Sequence, residues 1–143
     1  MISYNMVNNR PCPFCPEQRE AVLEEGKFCF VAPARAPYTE DHLLIIPKRH
    51  LIFFHELSPE ELEEFMIVMQ RRSAKLHTRH EAINLLLRDS TIEGKIGKSV
   101  DHLHFHLLPT LSVDTKHSQP DRKFFSDLEY LAELERIKSL FCA

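Results

Sequence analysis

No stretch of the 143 residues approaches the run of about 20 apolar residues that a bilayer-spanning helix needs, which argues against a membrane partner. Met1–Arg10 holds no charged segment followed by an apolar one, so no secretory leader is expected and a cytoplasmic location is the default. A basic surplus is missing too. With 18 Lys and Arg against 21 Asp and Glu, the net charge is −3 and no basic stripe occurs, which argues against a nucleic-acid surface but leaves room for a local cationic pocket. No internal repeat or low-complexity segment is present. Glycine is scarce, with 3 in all, and Gly97-Lys98-Ser99 is not part of a P-loop. That motif needs an earlier glycine where this chain has Ile92, and it needs a helix to follow. What remains has the composition of a globular protein, 43% hydrophobic and 27% charged. Its length fits one domain spanning 1–143 with a sizeable core.

Against these absences, three histidines stand at alternate positions in Val100-Asp101-His102-Leu103-His104-Phe105-His106-Leu107-Leu108-Pro109. Period-two alternation with apolar residues predicts a half-buried strand over 100–108, with His102, His104 and His106 on one face and Leu103, Phe105 and Leu107 toward a core. Along such a strand, neighbouring histidines lie about 6–7 Å apart. Imidazoles cover a sheet poorly, but they ligate metals, attack electrophiles and carry protons at neutral pH.

The four cysteines divide by context. Cys12 and Cys15 form Cys-Pro-Phe-Cys, and the prolines at 11, 13 and 16 disfavour the helix that a redox pair would open. A metal knuckle at 12–15 is the better reading. Cys29 lies between Phe28 and Phe30 and reads as a small buried residue, while Cys142 has no assigned role. A structural zinc site takes four Cys or His ligands. Cys12 and Cys15 supply two, and the candidates for the others are His50 and one end of the histidine row. His102 is the better end, since it leaves His104 and His106 for substrate. An unmetallated cysteine pair is the alternative.

The rest of the chain reads as α+β. Ala21–Glu24 and Phe28–Ala32 flank Glu25-Gly26-Lys27 as a hairpin, and His42–Ile46 and Ile83–Arg88 read as strands. Ser58-Pro59-Glu60-Glu61 is a capped helix start, followed by Leu62, Phe65, Met66, Met69 and Leu76 on one face. A second capping box, Ser126 with Glu129, opens a helix over 126–140 with Leu128, Leu131, Leu134 and Ile137 as its apolar positions. About five strands and two helices with hairpin-like links predict an antiparallel sheet.

The chemistry then concerns His104 and His106. Neutral imidazole attacks phosphorus well, and a second histidine beside it can protonate or hold the leaving oxygen. Gly97-Lys98-Ser99 can offer backbone N–H groups, an ammonium and a hydroxyl to phosphate. An alternative makes all three histidines of the row ligands of a catalytic metal. His55, His77, His80 and His117 read as exposed, and the polar loop 112–121 has no required role.

His102-Leu103-His104-Phe105-His106-Leu107-Leu108 closely resembles the signature of the histidine triad (HIT) family of nucleotide hydrolases and transferases. The likeness extends to Cys12-Pro13-Phe14-Cys15, to His42 through His50, and to Gly97-Lys98-Ser99-Val100. It implies a small α+β fold with a five-stranded antiparallel sheet, a homodimer, and reaction at the α-phosphate of a nucleotide. His104 matches the nucleophile that forms a nucleotidyl-histidine, and His106 the histidine at the phosphate and leaving-group oxygens. His42 and Ser99 match phosphate-site residues, and Cys12, Cys15, His50 and His102 match the ligands of zinc-containing members. Some positions depart from the pattern. Lys98 replaces a common glutamine, Arg88-Asp89-Ser90 lacks a usual asparagine, and Pro109-Thr110 replaces Pro-Arg. Pro33, Ala34 and Arg35 offer no acid for the ribose. These departures leave open a second reading, a nucleotide-binding module with little or no catalysis.

Overall fold

The computed structural model describes residues 6–7, 10–15, 19–109 and 123–141. Two short hairpin strands, β1 (Met6–Val7) and β2 (Arg10–Pro11), lead into the cysteine knuckle. The main sheet follows. Its strands are β3 (Glu24–Glu25), β4 (Cys29–Pro33), β5 (Leu43–Pro47), β6 (Ile83–Leu87) and β7 (Phe105–Pro109). They lie in the order β3-β4-β5-β7-β6, and every neighbouring pair is antiparallel. Helix α1 (Pro59–Leu76) bridges β5 and β6, and α2 (Asp127–Leu140) follows β7. The expected five-stranded α+β architecture is present.

Both sides of the sheet centre are covered, which is why β4, β5 and β7 are buried at every position. Val31, Ile45 and Phe105 stand opposite one another in the ladder and share one face, with Leu43 and Leu107. There they join Phe65, Val68, Met69 and Leu76 of α1 and Tyr130, Leu134 and Ile137 of α2 in the main core. Phe30, Ala32, Leu44 and Ile46 take the other face and form a smaller apolar cluster. His106 pairs with Leu44 in register, so it projects over that second face.

Local chemistry explains the helices. In α1, Glu61 N–H donates to Ser58 Oγ at 3.1 Å, and Ser58 N–H donates to the Glu61 carboxylate at 2.9 Å. Ser126 and Glu129 form the same reciprocal cap at the start of α2.

Several expectations need correction. The triad strand begins at Phe105 rather than Val100, because Lys98 and the metal-side residues draw 98–104 out of the ladder. The buried face of α1 takes Val68 and Arg72 but leaves Met66 exposed. On α2, Leu128 is 81% exposed and the buried face is Tyr130, Leu134 and Ile137. The Tyr130 hydroxyl, which donates to Pro33 carbonyl, sets that rotation. His80 is half-buried against Asp41 rather than exposed. Cys142, His117 and loop 112–121 lie outside the described residues.

Candidate active site and metal centre

A tight turn, in which Cys15 N–H reaches the Cys12 carbonyl at 3.3 Å, brings the two cysteines together. His50 follows β5 and His102 precedes β7, and the one donor atom offered by each of Cys12, Cys15, His50 and His102 lies within 4.8 Å of the other three. Cys12 Sγ to His102 Nδ1 is 3.3 Å, Cys15 Sγ to His50 Nδ1 is 3.2 Å, and the two Nδ1 atoms are 3.1 Å apart. A tetrahedral ion bound at about 2.0–2.3 Å to nitrogen and sulfur has ligand separations of about 3.3–3.8 Å, so the set fits.

Tautomer chemistry points the same way. His102 Nε2 lies 2.7 Å from the Pro47 carbonyl, which only accepts, so Nε2 carries the proton and Nδ1 presents a lone pair to the cluster. Burial pushes the Cys12 thiol up to about 12 and holds His102 down to about 3, so neither charges unaided at neutral pH. A divalent cation is the partner that stabilises a thiolate in such a place. Among the described residues this cluster takes only His102 from the triad, which removes the support for a metal shared by all three histidines.

On the second face of the sheet lies a cavity of about 390 Å³. Phe30, Ala32, Leu44 and Ile46 give it an apolar floor, and His42, His104, His106, Gly97 and Ser99 line its polar end. Phe14, from between the cysteines, sets its ring against His104 with centroids 5.1 Å apart, so the knuckle also forms a wall of the cavity.

His104 is 6% exposed, and its Nδ1 donates to the His102 carbonyl at 2.7 Å. Its Nε2 is therefore the basic nitrogen. Burial, helped by the charges of Lys98 and Arg88, lowers its pKa to about 4. A neutral imidazole results at physiological pH.

His106 is oriented through Tyr38 and His42. The Tyr38 backbone N–H, which can only donate, points at His42 Nδ1 at 3.2 Å. Neutral His42 then carries its proton on Nε2, 2.9 Å from His106 Nδ1, and donates to it. His106 in turn carries its proton on Nε2. It is a donor in the cavity, whereas its neighbour His104, at 4.8 Å between centroids, is an acceptor.

His42 owes its position to Asp41, a buried residue at φ 64 in the left-handed region. The Asp41 carboxylate accepts from His80 Nε2 and from Arg136 Nη2 of α2, both at 2.6 Å. Nothing in the local sequence marks this clamp, because its members come from three distant segments.

Lys98 does not join the site. It is 5% exposed, and its ammonium donates to the carbonyls of Ile52 and Ser90 at 3.1 and 2.6 Å. Expected as a phosphate ligand, it instead ties the loop beneath the cavity wall, and burial lowers its pKa. Arg19, Arg35 and Arg88 all line the cavity, and the cation at its histidine end is Arg88, whose Nη1 stands 3.4 Å from His106 Nε2. Its place directly after β6, where an asparagine is usual in the resembled family, was the available signal. At the other end of the cavity Ala34 is buried and Arg35 is tied to Glu20 and Asp127, so the carboxylate lining that end is Glu20, from ahead of β3, and not a residue of Pro33-Ala34-Arg35.

A family model described as HIT domain matches residues 16–113. An uncharacterised HIT-like protein of Mycobacterium tuberculosis is 30% identical over 114 residues, covering 73% of this chain and 74% of its own. The adenosine 5′-monophosphoramidase of Saccharomyces cerevisiae is 33% identical over 105 residues, covering 68% of this chain and 61% of its own. Among solved structures, a zinc-bound histidine triad protein from Mycobacterium smegmatis superposes with a TM-score of 0.60 at 24% identity, covering 90% of this chain and 96% of that one.

Proposed function

The chain belongs to the HIT family, and from that membership and the geometry of the cavity we propose that it is a nucleotide hydrolase or nucleotidyl transferase acting through a nucleotidyl-His104 intermediate. The observation that carries this reading is the pair of contacts behind the two cavity histidines, His104 Nδ1 on the His102 carbonyl and His106 Nδ1 on His42 Nε2, which assign Nε2 of His104 as an acceptor and Nε2 of His106 as a donor. A nucleophile and a hydrogen-bond donor are thus 4.8 Å apart between ring centroids over one apolar floor.

In this mechanism His104 Nε2 attacks the α-phosphorus and the bond to the leaving group breaks, its electron pair departing with that group. An amine leaving group accepts a hydrogen bond from Nε2–H of His106 and takes its proton from the incoming water. The His102 carbonyl, accepting from Nδ1 of His104, stabilises the positive charge the imidazole then bears. The hydroxide so formed attacks phosphorus. The N–P bond breaks, returning its pair to His104. The backbone around Gly97 and the hydroxyl of Ser99, both on the cavity wall, serve the phosphate oxygens, as does His42.

The metal we propose for Cys12, Cys15, His50 and His102 is zinc, in a structural role. Bound there, it would stabilise the knuckle, which carries Phe14 against the nucleophile. We also propose a homodimer, since β6 is an outer strand with Leu85 55% exposed, and light scattering of the purified protein tests it.

Mass spectrometry after an alkaline quench tests the chemistry. With adenosine 5′-monophosphoramidate as substrate, a nucleotidyl group should be found on the peptide holding His104, and His104→Ala should abolish both adduct and turnover. Full turnover by His104→Ala would end the proposal. The lack of an acid in Pro33-Ala34-Arg35 favours the binding-module reading, and tight nucleotide binding in calorimetry without turnover of any substrate would establish it instead.

A further inference from the structure

We propose that Arg88 makes this site selective for nucleotide anhydrides, whose leaving group departs as a phosphate anion, over nucleoside phosphoramidates, whose leaving group is an amine. This rests on the nucleotidyl-transfer reading and assigns its substrate class.

Arg88 is 9% exposed, lines the cavity, and enters no ion pair among the described residues. The contrast with the other sheltered arginines matters: Arg19, Arg35, Arg72 and Arg136 each reach a carboxylate. A buried guanidinium without a carboxylate needs an anion from elsewhere. It is also held in place. Its Nε donates to the Ile96 carbonyl at 3.1 Å, and its head lies 5.7 Å from the Tyr38 ring centroid. Gly97, at φ 96, leaves room for it, since a Cβ there would stand 3.0 Å from Arg88 Nε.

The neighbour decides what that anion is. Nη1 of Arg88 and Nε2 of His106 are 3.4 Å apart, and the hydrogen bonds running from Tyr38 through His42 put a proton on that Nε2. Two donors cannot satisfy each other, so both point at a common acceptor. In the proposed mechanism the acceptor beside His106 is the leaving-group atom. When an anhydride reacts, the His104–phosphorus bond forms and the bridging P–O bond breaks. The electron pair stays on the departing phosphate oxygen, against the guanidinium. In hydrolysis water gives its hydroxyl to phosphorus and its proton to the released phosphate, and His104 recovers its pair. An amine leaving group gains nothing from Arg88. It must take a proton to depart, which leaves a neutral amine with no charge for the guanidinium to hold, and a fixed cation disfavours protonation of a nearby nitrogen.

The test compares kcat/KM for P1,P3-diadenosine triphosphate and adenosine 5′-monophosphoramidate in wild type, Arg88→Gln and Arg88→Lys. Expected are a wild-type preference for the anhydride and a loss of about 100-fold on it in Arg88→Gln, with less than about fivefold loss on the phosphoramidate. Arg88→Lys should recover about tenfold on the anhydride alone, and phosphoramidate turnover reports that the variants are folded. Equal losses on both substrates, or a wild-type preference for the phosphoramidate, would overturn the assignment. If wild type turns over neither substrate, the enzymatic reading fails and binding decides for Arg88. Weaker binding of adenosine α,β-methylene diphosphate by about tenfold in Arg88→Gln, with AMP unchanged, supports it. Equal weakening of both, or no binding of either, overturns it.

Discussion

The nucleophile candidate His104 is aimed by the metal-ligand candidate His102, whose backbone carbonyl accepts the Nδ1 proton of His104 at 2.7 Å. One residue thus serves both sites, its imidazole facing the cysteines and its carbonyl facing the cavity. The carbonyl explains the tautomer, and burial explains why the ring stays neutral. Folded His104 titrates at about 4 against 6.5 for the free side chain, so between those values the unfolded chain binds the extra proton. Its contribution to stability is complete above about pH 6.5 and is lost as pH falls toward about 4, a change on the order of 3 kcal/mol. Urea unfolding of wild type and His104→Asn at pH 7 and pH 5 should show a shallower pH dependence in the variant. Identical slopes would mean that His104 is not buried as a neutral ring.

Metal removal should act on both sites. Elemental analysis is expected to find one zinc per chain in wild type and none in Cys12→Ser. Loss of a ligand held at about 100 times its dissociation constant costs about 3 kcal/mol, or roughly 10 °C in Tm for a chain of this size. Turnover should fall with it, because Phe14 and the His102 carbonyl lose their anchor. His104→Ala, in contrast, should keep its zinc. A zinc-free wild type of unchanged Tm after chelation would remove the structural role.

Features written within one short segment were legible in the sequence. Ser58 with Glu61 and Ser126 with Glu129 announced both helix starts. The alternation of Leu103, Phe105 and Leu107 with histidines announced three buried positions, of which Phe105 and Leu107 lie in β7. Features that depend on which segments meet were not legible. Gly97-Lys98-Ser99 reads as a phosphate-binding run, and Gly97 and Ser99 do line the cavity, yet the Lys98 side chain finds Ile52 and Ser90. Asp41, His80 and Arg136 meet only once β5, α1 and α2 are packed. The apolar face of α2 was misplaced because Tyr130, bonded to Pro33, outweighs the pattern of leucines.

The Asp41 clamp makes a prediction that separates charge from backbone. Asp41→Ala loses both partners in a buried setting and should destabilise by about 3 kcal/mol. Asp41→Gly loses the same partners but relieves the left-handed backbone at φ 64, so it should be about 1 kcal/mol less destabilising than the alanine variant. Thermal or urea unfolding measures both. Equal stability of the two variants would show that the backbone there is not strained.

Lys98 and Ser99 are neighbours with opposite prospects. Lys98→Ala leaves the carbonyls of Ile52 and Ser90 without their buried donor, which costs about 1–3 kcal/mol. Because the ammonium does not line the cavity, nucleotide affinity in that variant should stay within about twofold of wild type. Ser99→Ala removes a hydroxyl from an exposed position on the cavity wall, so it should leave stability within about 0.5 kcal/mol. It should instead weaken nucleotide binding by about tenfold, the worth of one hydrogen bond to a charged phosphate. Calorimetry and urea unfolding on the two variants give four numbers. The assignment fails if Lys98→Ala is the one that loses affinity, since its side chain would then have to leave the two carbonyls and reach the phosphate.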